Sequence, residues 1–247
     1  MTDFPSYAVV ALAAGKSSRC DAGKASRDVV GLERKKPFFP LLGVPTWLWS
    51  VRKFAARRDV AKILLVVARE DFDEARKKYA RELDEFNVKL VVGGAERFLS
   101  VENALKETPE DVGFIAVHDA ARPCASVADV DRVFAEAARS GAAILATPVV
   151  GSLKRSEERS GRAIVRCSVP RDALWEAGTP HVFRRDVLVR AYRERARDVL
   201  PTDDCGLVEA LGVETTIVRG SRLNLKITSE EDLELAELIL RMETQRD

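Results

Sequence analysis

Short apolar runs rich in β-branched residues recur along the chain, and patterns typical of helices separate them. The runs are YAVVAL, KILLVVA, VKLVV, GFIAV, AAILATPV and VETTIV, at residues 7–12, 62–68, 88–92, 113–117, 142–149 and 213–218. Strands that alternate with helices in this way predict an α/β fold with a doubly wound, mostly parallel sheet. The 247 residues suit one large domain, so we expect a single domain over residues 1–247.

Two of the helical segments carry clear boundary signals. One extends from Ser126 to Ser140 and is followed by Gly141, which ends the pattern. Ser126 can cap this helix, and Asp129 stands at the capping-box spacing. The other helix begins at about Ser229 and has acidic residues in its first turn, which favours a helix start. Its predicted wide apolar face consists of Leu233, Leu235, Leu238, Ile239 and Met242.

The residues that follow the ends of apolar runs are expected on one rim of the sheet. Gly15, Gly94 and Asp119 occupy such positions. In open parallel sheets, ligands bind in the crevice beyond the carboxyl ends of the strands. This rim is therefore the predicted ligand site.

Two segments interrupt the alternation of strands and helices. Residues 20–37 are polar and of mixed charge, and they predict a long loop of the kind that is usually functional or mobile. Residues 150–172 read as two short strands around a Ser-Gly turn and predict a protruding β-hairpin. An isolated hairpin needs a partner to cover its apolar residues, and a symmetric copy supplies one. We therefore expect a homodimer that forms through this hairpin.

The composition argues against several kinds of partner and location. Lys and Arg number 40 and Asp and Glu 39, so the net charge of +1 is too small to attract nucleic acid or a membrane surface. No apolar run approaches the roughly 18 residues of a membrane helix, and the N-terminus lacks the basic region of a signal peptide. The four cysteines lack metal-finger spacing, and only two histidines are present. We expect a reduced, soluble, cytoplasmic protein.

The turn after the first predicted strand, ALAAGKSSRC, combines small residues with two cations. Small residues let backbone N–H groups approach a ligand, and Lys16 and Arg19 add positive charge, which suits a triphosphate. The turn matches neither the G-x-G-x-x-G fingerprint nor the P-loop pattern, and a strand-to-helix turn in any doubly wound fold can look the same. Further along, ERKKPFFPLLGVP places Lys35 and Lys36 in either a solvated loop or a charged ligand site.

Three further segments each allow a structural and a chemical interpretation. In VVGGAERFLSVENAL, paired glycines allow contact with a flat ring and Ser100 can bond a base edge, or the segment is a plain strand-to-helix turn. In FIAVHDAARPC, Asp119 and Arg122 either cap and pair within a turn or take part in chemistry. In GSRLNLKITSEEDL, Lys226 is either an exposed strand lysine or a ligand-binding cation.

Together these segments resemble the 2-C-methyl-D-erythritol 4-phosphate cytidylyltransferases of the non-mevalonate isoprenoid pathway. LAAGKSSR, KPFFPLLGVP, GGAERFLSVENAL, VHDAARP and NLKITSEEDLELAE follow one another in the family's order, and VPRDALWEAGTPHVF and TDDCGLVEALG also match. The resemblance covers nearly the whole chain. Its most specific parts are HDAARP and the terminal NLKIT, whereas many sugar nucleotidyltransferases share the glycine-containing turn.

The resemblance implies a Rossmann-like nucleotidyltransferase that transfers CMP from CTP to 2-C-methyl-D-erythritol 4-phosphate and releases pyrophosphate. In the family pattern, Arg19, Lys36 and Lys226 are catalytic and form a cationic clamp around the triphosphate. A Mg²⁺ cofactor bridges the phosphates, and Asp119 holds the metal ion or the acceptor. Arg122 binds the acceptor or supports Asp119. The positions that match substrate-binding residues at the nucleotide are Ala13, Ala14, Gly15, Gly94 and Ser100.

The predicted hairpin at 150–172 matches a dimerisation arm by the same resemblance. Ser152 and Arg171 then match residues that hold the acceptor phosphate across the interface, so that each site uses side chains from both subunits. The resemblance thus implies that CTP and a polyol phosphate are the substrates and that the dimer is the active form.

The chain departs from the family pattern at several positions, and alternatives stay open. Pro37 replaces a glutamine beside Lys36, which removes a backbone donor. The segment that precedes Lys36 is longer than in the family, and Lys24 within it is a rival catalytic lysine. His181 also replaces a glutamine. A ribitol 5-phosphate cytidylyltransferase is the alternative enzyme, a non-catalytic nucleotide-binding homologue is the alternative from another class, and an oxidoreductase, lacking its glycine fingerprint, is least favoured.

Overall fold

The computed structural model describes residues 5–15, 31–196 and 201–245. The strands in these ranges are β1 (Tyr7–Leu12), β2 (Pro40–Leu41), β3 (Val44–Pro45), β4 (Val60–Val67), β5 (Val88–Val92), β6 (Phe114–Asp119), β7 (Ala142–Pro148), β8 (Leu153–Arg159), β9 (Arg162–Val169), β10 (Trp175–Arg184) and β11 (Thr216–Arg219). The α-helices are α1 (Thr46–Ala55), α2 (Phe72–Lys78), α3 (Ala80–Glu85), α4 (Arg97–Leu105), α5 (Val127–Ser140), α6 (Arg185–Glu194), α7 (Asp204–Glu209) and α8 (Glu230–Thr244). Short 3-10 helices cover Gly31–Arg34 and Arg69–Asp71.

The described strands build a seven-stranded central sheet with the order β11-β7-β10-β6-β1-β4-β5. β1 pairs in parallel with β4 and β6, and the pairs β4–β5 and β7–β11 are also parallel. β10 runs antiparallel to both of its neighbours, β6 and β7. The predicted doubly wound, mostly parallel sheet is confirmed. β10 escapes prediction from the sequence because Gly178, Thr179 and Pro180 interrupt its apolar pattern, at the point where its register with β7 shifts.

The side chains of β1 alternate between two cores on opposite faces of the sheet. Val9 and Ala11 belong to a core that also contains side chains of α1 and α5. Val10 belongs to the core that contains side chains of α4, α6 and α7. Successive side chains of a strand point to opposite faces, so a strand covered on both faces is apolar throughout. This explains the uninterrupted YAVVAL run.

α5 begins and ends where its capping signals predict. The Ser126 hydroxyl oxygen accepts a hydrogen bond from the backbone N–H of Asp129 at 3.1 Å, and Gly141 ends the helix with a φ of 88°. The Asp129 carboxylate accepts a hydrogen bond from the backbone N–H of Ser221 at 2.9 Å. The helix bounds are confirmed, and Asp129 also fixes the segment after β11 against α5.

One side of α8 packs onto a third buried cluster. The members of this cluster are Phe39, Leu41, Cys124, Ile227, Leu233, Ala236, Ile239 and Leu240. A capping box of Ser229 and Asp232 confirms the predicted helix start. The predicted wide apolar face is wrong for Leu235, Leu238 and Met242, which are 51%, 58% and 50% exposed. These three residues lie on the side of α8 that faces away from the cluster.

β8 and β9 form a separate antiparallel pair, which confirms the predicted hairpin. Ser160 and Gly161 make the turn with positive φ values of 51° and 73°, a conformation that glycine adopts without steric cost. Most side chains of both strands are exposed. The predicted loop at 20–37 lies largely outside the described residues, which resume at Gly31. Within the described ranges, no helix has the length and apolar character needed to cross a membrane.

Phe134 is expected to be a major contributor to the stability of the first core. It is 1% exposed, and its ring centroid lies 4.4 Å from that of Tyr7 and 6.1 Å from that of Phe54. Phe134→Ala should lower the free energy of unfolding by about 3–5 kcal/mol, measured by urea denaturation, because it leaves a cavity. Val127→Ala, at an exposed position of the same helix, should change it by less than about 0.5 kcal/mol. Equal effects of the two substitutions would contradict this assignment.

Candidate active site

The carboxyl ends of four parallel strands border one cavity of about 650 Å³. Leu12 ends β1, Ala68 follows β4, Gly93 follows β5 and Asp119 ends β6, and all four line the cavity. A volume of this size is typical of sites for small ligands. Gly15 and Gly94 also line it, so the structure brings the predicted rim residues together.

The turn between β5 and α4 forms one wall of the cavity. The Ser100 hydroxyl oxygen accepts a hydrogen bond from the backbone N–H of Gly94 at 3.0 Å and donates one to the carbonyl of Glu96 at 3.2 Å. A Cβ atom on Gly94 would lie 2.3 Å from the Cβ of Leu99, so this position requires glycine. Ser100 thus shapes the turn as well as lining the cavity.

The turn after β1 lies against the turn after β5. Ala14 lines the cavity, and a Cβ atom on Gly93 would lie 2.6 Å from the Cβ of Ala14. Gly93 therefore allows the two turns to approach closely at the cavity, and the contact with a ring stays a prediction. Ala13 is buried in the core beneath, and its backbone N–H donates a hydrogen bond to the carbonyl of Val66 at 2.8 Å.

The carboxylate of Asp119 lies among three cations. The Nζ of Lys226 donates a hydrogen bond to Oδ2 at 2.6 Å, the Nε of Arg97 lies 3.4 Å from Oδ1, and the Nε of Arg122 lies 4.0 Å from Oδ2. Burial alone would raise the pKa of Asp119, but Arg97, then Lys226, outweigh burial and hold the pKa well below its usual value. The carboxylate is therefore ionised, and its pairing with Arg122 is the weakest of the three contacts.

Two of the three predicted clamp residues line the cavity. The Nζ of Lys36 donates a hydrogen bond to the carbonyl of Thr228 at 2.7 Å, two residues beyond Lys226. The neighbouring Lys35 instead bonds the buried carboxylate of Asp71, with its Nζ 2.6 Å from Oδ2. Arg19, the third clamp residue, lies outside the described residues, and so does Lys24, the rival of Lys36.

A second cavity of about 430 Å³ adjoins the first, and Lys226 and Thr228 line both. Arg122 lines this second cavity. Its Nη1 donates a hydrogen bond to the carbonyl of Asn224 at 2.8 Å, which holds the guanidinium at the second cavity. Two adjoining spaces are therefore present, and Lys226 lines both.

The structure does not bring Ser152 and Arg171 to either cavity. Both are exposed at the base of the hairpin, where a guanidinium nitrogen of Arg171 bonds the carbonyl of Val150. Neither is among the residues that line the two spaces. The predicted sharing of sites between subunits stays a prediction.

The sequence patterns did not single out Arg97, Asp204 and Tyr192, which form a network beside Asp119 in which Arg97 is partly exposed and Asp204 is fully buried. The Nη1 of Arg97 donates a hydrogen bond to Oδ2 of Asp204 at 2.8 Å, and the Tyr192 hydroxyl donates one to Oδ1 at 2.6 Å. His181 lies beside them, with its Nδ1 3.8 Å from the same Asp204 Oδ2, and burial lowers the pKa of this histidine. The sequence signal that could have indicated this network is Arg97, which lies in the segment GGAERF at the start of a helix.

The described residues fit a magnesium ion that is held mainly by phosphates. Across these residues no cluster of three or more His, Cys, Asp or Glu side chains is placed to cage a metal. Asp119 offers one ionised carboxylate at the cavity wall. Mg²⁺ commonly binds through one or two carboxylates together with substrate phosphates and water. Asp119 is thus suited to be a single protein ligand of such an ion.

Comparisons with known proteins agree with this geometry. The family model described as 2-C-methyl-D-erythritol 4-phosphate cytidylyltransferase matches residues 8–242. The enzyme of that name from Solibacter usitatus (strain Ellin6076) is 41% identical over 240 residues, covering 97% of each chain. The one from Rhodopirellula baltica is 40% identical over 231 residues, covering 89% of this chain and 91% of its own.

A solved structure with a similar fold carries the same enzyme name as the family model. The crystal structure of 2-C-methyl-D-erythritol 4-phosphate cytidylyltransferase from Thermus thermophilus has a TM-score of 0.74 and 30% identity, covering 96% of this chain and 100% of its own. With a family model matched over nearly its whole length, the chain belongs to the 2-C-methyl-D-erythritol 4-phosphate cytidylyltransferase family.

Proposed function

We propose that this chain transfers CMP from CTP to 2-C-methyl-D-erythritol 4-phosphate and releases pyrophosphate. The observation that carries the proposal is the position of Lys226 between two adjoining cavities. One cation can then face both a triphosphate and a phosphorylated acceptor. The family membership supports the same nucleotide and acceptor.

The reaction requires two polyanions to meet. An oxygen of the acceptor phosphate forms a bond to the α-phosphorus of CTP, and the bond from that phosphorus to the pyrophosphate oxygen breaks. The electron pair of the broken bond leaves with pyrophosphate. A phosphate monoester carries about −1.5 to −2 charges at neutral pH, so the protein must mainly neutralise charge and hold an in-line arrangement.

The described residues are suited to these tasks. Lys36 and Lys226 supply positive charge at the mouth of the first cavity, and Arg19 is the third proposed cation of the clamp. Fixed cations aimed at developing charge lower the barrier without reorganising during the reaction. Ala14 and Gly94, which both line the first cavity, are proposed to enclose the cytosine ring. A bound Mg²⁺ would add charge neutralisation at the phosphates, with Asp119 as its proposed protein ligand.

Pyrophosphate release from CTP with each candidate acceptor tests the proposal. We expect kcat/KM to be about tenfold or more higher with 2-C-methyl-D-erythritol 4-phosphate than with ribitol 5-phosphate, since polar contacts shaped for one polyol discriminate against another. A preference for ribitol 5-phosphate would establish the alternative enzyme. CTP binding without turnover on either acceptor would identify a non-catalytic homologue.

Lys36→Ala is expected to lower kcat by about 1,000-fold, because it removes a fixed cation from the transition state. Lys35→Ala is the matched control, since this adjacent lysine pairs with Asp71. It should leave kcat within about threefold, as loss of a single partly exposed ion pair acts mainly on stability. Arg19→Ala should resemble Lys36→Ala. Equal rates in the Lys36→Ala and Lys35→Ala proteins would show that Lys36 is not part of the cationic clamp.

We also propose that the chain acts as a homodimer joined through residues 150–172. Exposed apolar side chains on and beside the hairpin support this, among them Val150, Leu153, Ile164 and Val165. A partner subunit would cover them and would bring its Ser152 and Arg171 towards the acceptor cavity. A cytoplasmic location is proposed as well, in keeping with the free thiols of Cys124, Cys167 and Cys205.

Val165→Glu should separate the subunits, because it places a charge where apolar contact is proposed. We expect a monomer by sedimentation velocity and a loss of kcat/KM of about 100-fold through misplacement of the acceptor. Leu238→Glu, at a similarly exposed apolar position on α8, is the control and should remain dimeric and active. A monomeric Val165→Glu protein with full turnover would refute the shared site.

A further inference from the structure

Arg97 joins two carboxylates that come from different parts of the fold. It is the first residue of α4, and its guanidinium contacts Asp119 at the end of β6 and Asp204 at the start of α7. The Asp204 side chain is completely buried, and that of Asp119 is 11% exposed. A buried carboxylate needs compensating charge and hydrogen bonds, and Arg97 provides them to both.

The arrangement depends on the forked shape of arginine. Nη1 bonds Asp204 at 2.8 Å while Nε and Nη2 lie 3.4 and 3.5 Å from Oδ1 of Asp119. Lysine carries a single point charge and would not span both acids in the same way. Tyr192 fixes the other oxygen of Asp204 at 2.6 Å, so the shorter contact of Arg97 is anchored in the core.

The same carboxylate of Asp119 holds Lys226 at 2.6 Å. Lys226 is 44% exposed and lines both cavities, so it must turn from Asp119 towards phosphate oxygens in order to act on either reactant. Asp119 would then lose its closest cation. Arg97, which approaches the opposite oxygen at 3.4 Å, then remains with the more distant Arg122 to compensate the charge, and its bridge to Asp204 keeps the carboxylate in place.

We propose that Arg97 is a positioning residue of this reaction, anchored on Asp204, that orients Asp119 and offsets its charge so that Lys226 is free to bind phosphate. This inference rests on the proposed function. Arg97 also lines the nucleotide cavity, and direct contact with CTP is the competing role. Its nitrogens already contact two carboxylates, which favours action through Asp119.

A double-mutant cycle separates the two roles. The proteins are the wild type, Arg97→Lys, Asp119→Asn and the double variant, assayed by pyrophosphate release. Lysine keeps the positive charge and removes the bridge, so Arg97→Lys should lower kcat/KM about 100-fold through misplacement of Asp119 and Lys226. In the Asp119→Asn background the same change should cost less than about threefold, since residues that act through one another are not additive. Losses that multiply would overturn the proposal in favour of an independent role.

Arg57→Lys provides a matched control. Arg57 also bridges two carboxylates, those of Asp59 and Asp131, beside the amino end of β4. It should lose stability in urea denaturation and keep kcat/KM within about twofold, because its bridge only supports the fold. A loss of turnover in Arg97→Lys no larger than in Arg57→Lys would reduce Arg97 to a purely structural residue and overturn the proposal.

Calorimetric titration with CTP distinguishes a failure of the positioning role of Arg97 from a failure of the proposed function. Wild-type protein that binds CTP and turns over neither acceptor would defeat the proposed function. The Arg97 cycle is then decided by the dissociation constant of CTP. We expect Arg97→Lys to raise the dissociation constant of CTP about tenfold. In the Asp119→Asn background the same change should raise it by less than about twofold. Multiplying effects on this constant would again overturn the positioning role.

Discussion

The ion pair between Lys226 and Asp119 joins the end of β6 to the segment that leads into α8, across 107 residues of sequence. An ionised carboxylate at a nearly buried position costs several kcal/mol unless cations and hydrogen bonds compensate it. Arg97 and Arg122 share that compensation with Lys226. The pair therefore places a partly exposed cation at the boundary of two cavities, and the proposed chemistry depends on that placement.

The fold holds both ends of this pair in position. Leu12 lies opposite Asp119 in the parallel register of β1 and β6, with apolar cores on both faces of the sheet. On the other side, α8 begins at a capping box and packs onto a separate cluster with side chains from Leu233 to Leu240. This packing sets Thr228 where its carbonyl accepts a hydrogen bond from Lys36. Two lysines from distant segments of the sequence thus line the same cavity.

The sequence predicts the parts of the site that depend on strand ends. Gly94 and Asp119 follow buried runs, so the direction of parallel strands is enough to place them on one rim. It does not predict the bridge from Arg97 to Asp204, since charged side chains 107 residues apart give no periodic signal. β10 was missed for a local reason, a Gly-Thr-Pro interruption. The prediction of a wide apolar face on α8 was partly wrong, because helical spacing alone does not indicate which of two apolar stripes packs against the rest of the protein.

We propose that Lys36 and Lys226 jointly face a triphosphate at the carboxyl rim of the sheet. A crystal structure of the protein with CTP and Mg²⁺ would test this placement. We expect phosphate oxygens within hydrogen-bond distance of both Nζ atoms, with the cytosine ring between the turns at Ala14 and Gly94. A nucleotide bound elsewhere, with either lysine turned away from the phosphates, would contradict it.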